Sequence, residues 1–127
     1  MLSGIHVKNL ALIDEIEIDF ENHLNILTGE TGAGKSIIIG SVNMALGKKM
    51  PKDMIRKGAD SALVELFFNV DAQAAVIEKL KALEIPIQDG NIMISRRMMP
   101  SRSVSRINGE IVPAQTLKNV AGMLIDI

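Results

Sequence analysis

Eight consecutive residues, Gly29 to Ser36, combine residue types that bind phosphate. Their sequence, GETGAGKS, fits the phosphate-binding pattern G-x-x-x-x-G-K-[S/T] at every fixed position. The glycines let the backbone curl so that successive N–H groups point at a phosphate. Lys35 supplies a cation for the β and γ phosphates, and the Ser36 hydroxyl is the expected magnesium ligand. The segment therefore predicts a site for ATP or a close relative, together with Mg²⁺.

The loop lies between a predicted strand at 24–27 and a predicted helix at 35–46, as this motif requires. Gly47 is the expected left-handed residue that ends the helix. The helix N-terminus adds partial positive charge and N–H donors at the same point. We therefore expect the nucleotide to be bound by the whole loop and the residue after it: Gly29, Glu30, Thr31, Gly32, Ala33, Gly34, Lys35, Ser36 and Ile37.

The segment before the loop predicts two antiparallel strands. Apolar residues at 16, 18 and 20 alternate with Glu15, Glu17 and Asp19, a period of two that puts one face on a core. Residues 2–12 predict the partner strand, joined to the first by a bend at 11–14. The alternation directs all three carboxylates to solvent, so they do not form a paired-carboxylate site.

After the loop, the sequence predicts a strand, a helix and a β-meander. The strand covers 62–70, and Asp71 is the expected N-cap of a helix that Pro86 ends. Asn108-Gly109 indicates a type I′ hairpin, because both residues tolerate positive φ. An amphipathic stretch begins near Pro113 and leads into an apolar run at 123–127. The expected apolar face of the helix consists of Val76, Ile77, Leu80 and Leu83.

Composition is that of one globular domain over residues 1–127. The hydrophobic fraction is 47%, enough for a core, and the net charge of −1 gives no overall preference for a polyanion. Cysteine is absent and no apolar stretch approaches the roughly 18 residues of a membrane span. We expect a cytoplasmic protein with no membrane partner.

The loop and several later segments resemble the RecN family of SMC-like DNA repair ATPases in the ABC superfamily. Glu30-Thr31 within the loop is the distinctive part, and the likeness covers nearly the whole chain. Ser101 departs from the family, which usually has Gly before the Arg-Ser pair. The other matching segments are Asp53 to Ala59, Ser95-Arg96-Arg97, Arg102-Ser103, Ile107-Asn108-Gly109 and Leu124 to Ile127.

The resemblance implies an α/β P-loop NTPase of the ABC and SMC head type, of which this chain is the N-terminal lobe. It implies that the Gln-loop, the coiled coil, the signature motif and the Walker B strand lie outside these residues. The implied function is ATP binding in DNA double-strand break repair and recombination, at the nucleoid. The implied partners are DNA, the C-terminal half of the same head and a second head in an ATP-engaged dimer. We expect the chain alone to hydrolyse little ATP, and none of its residues to be catalytic.

Several basic residues have two interpretations. Arg56 matches the position of an arginine that contacts nucleotide phosphates in SMC-type heads, or it is a solvated loop charge. Two basic clusters either contact a DNA backbone or are only solvated. They are Lys48, Lys49, Lys52, Arg56 and Lys57, and Arg96, Arg97, Arg102 and Arg106.

Alternative functions remain at this stage. A small P-loop kinase acting on a metabolite usually has the loop on the first strand of a parallel sheet, so the strand pair here disfavours it. A nucleotide-gated interaction module without catalysis is the other alternative. Residues 123–126 also fit a Walker B strand, although a Gln-loop strand agrees better with the family. His6 and His23 lack metal-ligand spacing and are expected to be ordinary surface or core residues.

Overall fold

The computed structural model describes residues 2–10, 13–19, 40 and 54–125. The described elements are β1 Leu2–Leu10, β2 Ile13–Asp19, β3 Ala62–Asn69, α1 Ala74–Ala82, β4 Asn91–Met98, β5 Ser103–Ile107, β6 Glu110–Val112 and α2 Ala114–Ile125. These strands form a six-stranded sheet in the order β2-β1-β3-β4-β5-β6, and all neighbouring strands are antiparallel. The expected strand pair and the expected meander are both confirmed.

One face of the sheet forms the core. Its central row runs across five strands, with Ile18, Ile5, Leu66, Ile94 and Ile107 paired in register and all buried. Fully burying an aliphatic side chain of this size contributes roughly 1.5–3 kcal/mol. Because strand residues alternate between faces, the residues next to this row project from the opposite, open face. Glu15, Glu17 and Asp19 on β2 are exposed, as the alternation predicted.

Helix α2 packs against β5 and against α1. Its buried residues, Leu117, Val120, Ala121 and Leu124, recur at helical spacing and belong to the main core cluster. The expectation of a strand at 123–126, of either the Gln-loop or the Walker B kind, is therefore wrong for 123–125. Residues 126 and 127 lie outside the described ranges. Neither helix in the described part is long and apolar enough to cross a membrane.

Helix α1 begins later than the sequence suggested. Its N-cap is Gln73, which makes no side-chain capping hydrogen bond, so the assignment of Asp71 as N-cap is wrong. The Asp71 backbone N–H instead donates to Asn69 Oδ1 (3.1 Å), in the turn that precedes the helix. Val76 and Leu80 are buried as expected, but Leu83 is 49% exposed. Leu83 lies at the C-cap, where the chain leaves the helix, and therefore does not share the helix's buried face.

The end of α1 is a Schellman motif. The Ile85 N–H donates to Leu80 O and the Glu84 N–H donates to Lys81 O, each at 2.9 Å. Glu84 has a φ of +60°, the left-handed conformation that glycine usually supplies at this position. The helix thus ends at Ala82 through its own backbone hydrogen bonds, before the chain reaches Pro86.

Two tight turns have consecutive residues with positive φ. The Asn108-Gly109 hairpin is confirmed, with φ values of +50° and +87°. Asp89-Gly90 forms the second turn, with φ values of +53° and +73°, between the bridged residues Gln88 and Asn91. Asp-Gly is also a strong type I′ sequence, so this turn was predictable from the same rule.

We expect Gly90→Ala to lower the free energy of unfolding more than Gly109→Ala does. Both substitutions place a Cβ at positive φ, at a shared cost of about 1–2 kcal/mol. A Cβ at Gly90 would also overlap the Asp71 carboxylate, whereas a Cβ at Gly109 would meet no atom within 4 Å. Urea unfolding of the two variants tests this difference.

The Asp71→Ala background supplies the control. Removal of the carboxylate should reduce the cost of Gly90→Ala to that of Gly109→Ala. An excess cost that persists in this background would show that the contact with Asp71 is not its cause.

Candidate nucleotide-binding site

The phosphate-binding loop itself lies outside the described residues. The assignments of residues 29–37 to the nucleotide, and of Ser36 to magnesium, therefore stay predictions. The same holds for the strand at 24–27. Gly40 is the one described residue of the helix predicted over 35–46, and it is helical.

Arg56 is described, and the backbone on both sides of it is tied down. Ile55 forms a β-bridge with Leu10, and the Arg56 N–H donates to Asn9 O at 2.9 Å. The Arg56 carbonyl in turn accepts from the Ala59 N–H at 2.9 Å. Gly58 lies at the third position of that turn with a φ of +90°, which favours glycine. The turn thus fixes Arg56 beside the C-terminal end of β1.

The four arginines of the second basic cluster do not share one face. Arg96 pairs with Val64 and Ser105, both buried, and therefore lies on the core face. Its Nη2 donates to Ser103 Oγ at 3.3 Å. Burial lowers the pKa of the Arg96 guanidinium, which nevertheless keeps its charge because arginine is not deprotonated in proteins.

The open face carries Arg97 and Arg106, and Arg102 is exposed in the loop between β4 and β5. Arg97 Nη1 donates to Ser61 Oγ at 2.8 Å. The loop is closed by a hydrogen bond from the Met99 N–H to Arg102 O at 2.8 Å. Ser101 is not among the residues with positive φ, so serine fits at this position without backbone strain. Arg97 and Arg106 can therefore reach a polyanion on this side of the sheet, and Arg102 is exposed in the adjoining loop.

Of the first basic cluster, Lys48, Lys49 and Lys52 lie outside the described residues, whereas Arg56 and Lys57 are described. Lys57 is exposed in the turn that holds Arg56. The two described members are thus adjacent to the end of β1, at the same end of the sheet as the β4–β5 loop.

His6 lies between two carboxylates on the open face. Its Nδ1 lies 2.6 Å from Glu65 Oε1 on β3, and its Nε2 lies 2.8 Å from Glu15 Oε2 on β2. The hydrogen bonds to Glu65 and Glu15 raise the pKa of His6, against a smaller opposing effect of burial. The hydrogen bond with His6 lowers the pKa of Glu15. Within the described ranges, neither these three side chains nor any other group of His, Cys, Asp and Glu has an arrangement that could hold a metal ion.

Sequence reasoning missed this arrangement. The signal was the single carboxylate of an otherwise apolar strand, Glu65, together with His6 and Glu15 on a predicted hairpin. Such a lone charge often has a partner on the next strand. That partner could not be identified without the register between β1 and β3. His23 lies outside the described residues.

A cavity of about 660 Å³ lies at the other end of the sheet, where β1 begins and β2 ends. Its described lining includes the carboxylates of Glu17, Asp19 and Asp89 and no lysine or arginine. A concentration of negative charge repels phosphates. The described lining of this cavity therefore has the wrong charge for the triphosphate of a nucleotide.

The chain is similar in sequence to the DNA repair protein RecN of Bacillus subtilis. The identity is 35% over the whole of this chain, which spans 22% of that relative's length. The RecN protein of Synechocystis is 36% identical over the whole chain, which again spans 22% of it. The resemblance seen in the loop and the later segments thus extends along the entire sequence.

The fold is that of an SMC-type ATPase. It superposes with a TM-score of 0.72, at 20% identity, on a structure from work on ATP-driven dimerization and DNA-stimulated activation of SMC ATPases, covering 98% of this chain and 79% of that one. The expected fold class is thereby confirmed. The pattern of the AAA domain family matches residues 4–114, which identifies the chain as a member of that family.

Proposed function

We propose that this chain binds ATP and Mg²⁺ through Gly29 to Ser36, as part of an SMC-like ATPase that acts in DNA double-strand break repair and recombination. The observation that carries the proposal is the complete phosphate-binding motif, within a chain that matches the AAA domain over 4–114 and folds like SMC ATPases. The proposed role in DNA repair is based on the similarity to RecN over the whole chain. The corresponding location is the cytoplasm, at the nucleoid.

In this proposal each part of the loop has one task. The backbone N–H groups between the glycines hold the phosphates, and the N-terminus of the helix predicted at 35–46 adds its partial positive charge. Lys35 neutralises the β and γ phosphates, while Ser36 contributes a hydroxyl oxygen to magnesium. Bound Mg²⁺ would supply charge neutralisation between the phosphate oxygens.

Chain direction supports a role for Arg56 in the same site. Strand β2 runs away from the end of β1 at which the backbone of Arg56 is held. After β2, the sequence predicts a turn at 21–23 and a strand at 24–27 that returns. A strand that returned from the end of β2 would carry the chain towards the end of the sheet where Arg56 lies. We infer that Arg56 contacts a phosphate of the bound nucleotide.

Hydrolysis requires more than these residues, because the chain spans 22% of its RecN relative. In the family resemblance, the attacking water, the signature motif and the catalytic glutamate all belong to other segments. We therefore propose that nucleotide bound here is hydrolysed after engagement with the C-terminal half of the head and with a second head. The antiparallel sheet supports this proposal over a metabolite kinase, which would have a parallel sheet.

For DNA, the proposal assigns contact to the arginines of the open face. Arg97, Arg102 and Arg106 lie on or beside β4 and β5, whereas the core-face position of Arg96 removes it from this surface. Guanidinium groups bind phosphate oxygens irrespective of base sequence. This surface would therefore add affinity for the DNA backbone without selecting a sequence.

Lys35→Ala is expected to abolish nucleotide binding and to leave the fold intact, because Lys35 provides the mobile cation of the loop. Titration of a fluorescent ATP analogue measures binding, and circular dichroism checks the fold. An unchanged affinity in a folded Lys35→Ala variant would contradict the assignment of the loop.

Steady ATP turnover by this chain alone is expected to be negligible. A phosphate-release assay measures it, with Lys35→Ala as the background control. Turnover that is well above that control would show that these residues contain a complete catalytic site and would refute the requirement for the missing segments.

Arg102→Gln combined with Arg106→Gln should weaken binding to duplex DNA and reduce its salt dependence. Loss of two phosphate contacts lowers the slope of log K against log salt by about 2. The matched control is Lys79→Gln with Lys81→Gln, which removes two exposed charges from α1. If both double variants weaken DNA binding equally, the loss is due to the change in net charge, and the arginines do not contact DNA at this surface.

A further inference from the structure

The side chain of His6 joins three neighbouring strands on the open face. His6 is on β1, and its two ring nitrogens reach Glu15 on β2 and Glu65 on β3. The imidazole is only 20% exposed, whereas the exposed fractions of the Glu15 and Glu65 side chains are 55% and 22%. The longer contact, at 2.8 Å, is thus the one to the more exposed carboxylate, on β2.

Both contacts need a proton on the histidine. A neutral imidazole carries one N–H, so it can donate to one carboxylate while its other nitrogen presents a lone pair to the second. Only the imidazolium donates to both. Because the contact with Glu65 is shorter and better shielded from water, loss of the proton should preserve it and break the contact with Glu15.

Few side chains of strand β2 are buried. It is the outer strand of the sheet formed by the described residues, and β1 is its partner there. Ile18 is its buried residue, Ile13 and Ile16 are partly buried, and its remaining residues are exposed. Segments with few buried apolar contacts open locally at a lower free energy than the core does.

We propose that His6 is a proton-operated clamp that holds edge strand β2 to the rest of the sheet when the imidazole is protonated and loosens that strand when the proton leaves. The carboxylates that face His6 favour the protonated form, whereas the nearby cations Lys8 and Arg106 oppose it. Glu15 and Glu17 face it from β2 and Glu65 from β3. Lys8 lies next along β1 on the same face, opposite Glu15, and Arg106 lies further along the row, beyond Ser95.

The direction of the pH dependence follows from linkage. The pKa of His6 is raised in the folded protein, so its contribution is fully present below the ordinary value of 6.5 and is lost as the pH rises through the raised value. The pKa of Glu15 is lowered, so its charge persists until the solution is more acidic than the ordinary value of 4.5. The clamp is therefore closed at pH values between the lowered pKa of Glu15 and the raised pKa of His6, where both side chains are charged.

Amide hydrogen exchange, followed by NMR and corrected for the intrinsic rate at each pH, tests the clamp. Protection of the β2 amides, relative to those of β5, should fall as the pH rises above the ordinary histidine value of 6.5 and through the raised pKa of His6. The size of the fall depends on how much the pKa of His6 differs between two states, one with β2 paired to β1 and one with β2 locally open. Each unit of that difference should lower the relative protection about tenfold. Protection of β2 relative to β5 that does not change with pH would refute the proposal.

Two variants separate the clamp from a general effect of charge. His6→Gln cannot titrate and should make the relative protection of β2 independent of pH. Glu15→Gln removes the Glu15 charge on β2 and leaves an amide that can hydrogen-bond either protonation state of His6, while the contact with Glu65 is kept. His6 should therefore still titrate above its ordinary pKa, but β2 protection should no longer follow that titration. If β2 protection in Glu15→Gln still follows the His6 titration, the contact across the strands is not the cause.

Discussion

The antiparallel register of the sheet is the constraint on which the other features depend. It aligns residues of successive strands in rows, and neighbouring rows project from opposite faces. One set of rows is mostly apolar and buried, although it includes Arg96, and the other set holds most of the ionisable side chains. A slip of one residue would exchange the two sets, so burial of the apolar rows fixes the register. The same register separates Arg96 from Arg97 and places His6 between its two carboxylates.

Local patterns predicted most of the strands. The alternation of Ile and Glu in β2 and the Asn108-Gly109 turn each depend on residues that are close in sequence, and both were predicted correctly. The contact of His6 with Glu65 joins residues 59 positions apart, and no local pattern contains that information. The start of α1 was misjudged for a related reason. Asp71 is a good N-cap by residue type, but Asn69 and Gly90 determine where its backbone and side chain lie.

For the candidate site, too, local sequence patterns give some features and not others. The phosphate-binding loop remains a prediction from sequence, made because that chemistry needs certain residue types at fixed spacing, and it lies outside the described residues. Which of the four arginines share a surface could not be predicted from their positions in a basic run. Alternation along β4 would have separated Arg96 from Arg97, but not shown which of the two lies on the core face. At 123–125 the apolar run suggested a strand, whereas burial at helical spacing, from Leu117 to Leu124, gives a helix.

The pairing of β1 with β3 also affects how the chain acquires its structure during synthesis. Strand β1 can form its hairpin with β2 early, since Leu10 and Ile13 are neighbours in sequence. Its second partner lies beyond the nucleotide loop, and the closure of long loops slows folding. The ribosome must therefore release residues as far as Phe68 before β1 can occupy the interior of the sheet. Until then the hairpin has an unpaired edge next to a nascent phosphate loop, a species that is prone to pair with other chains.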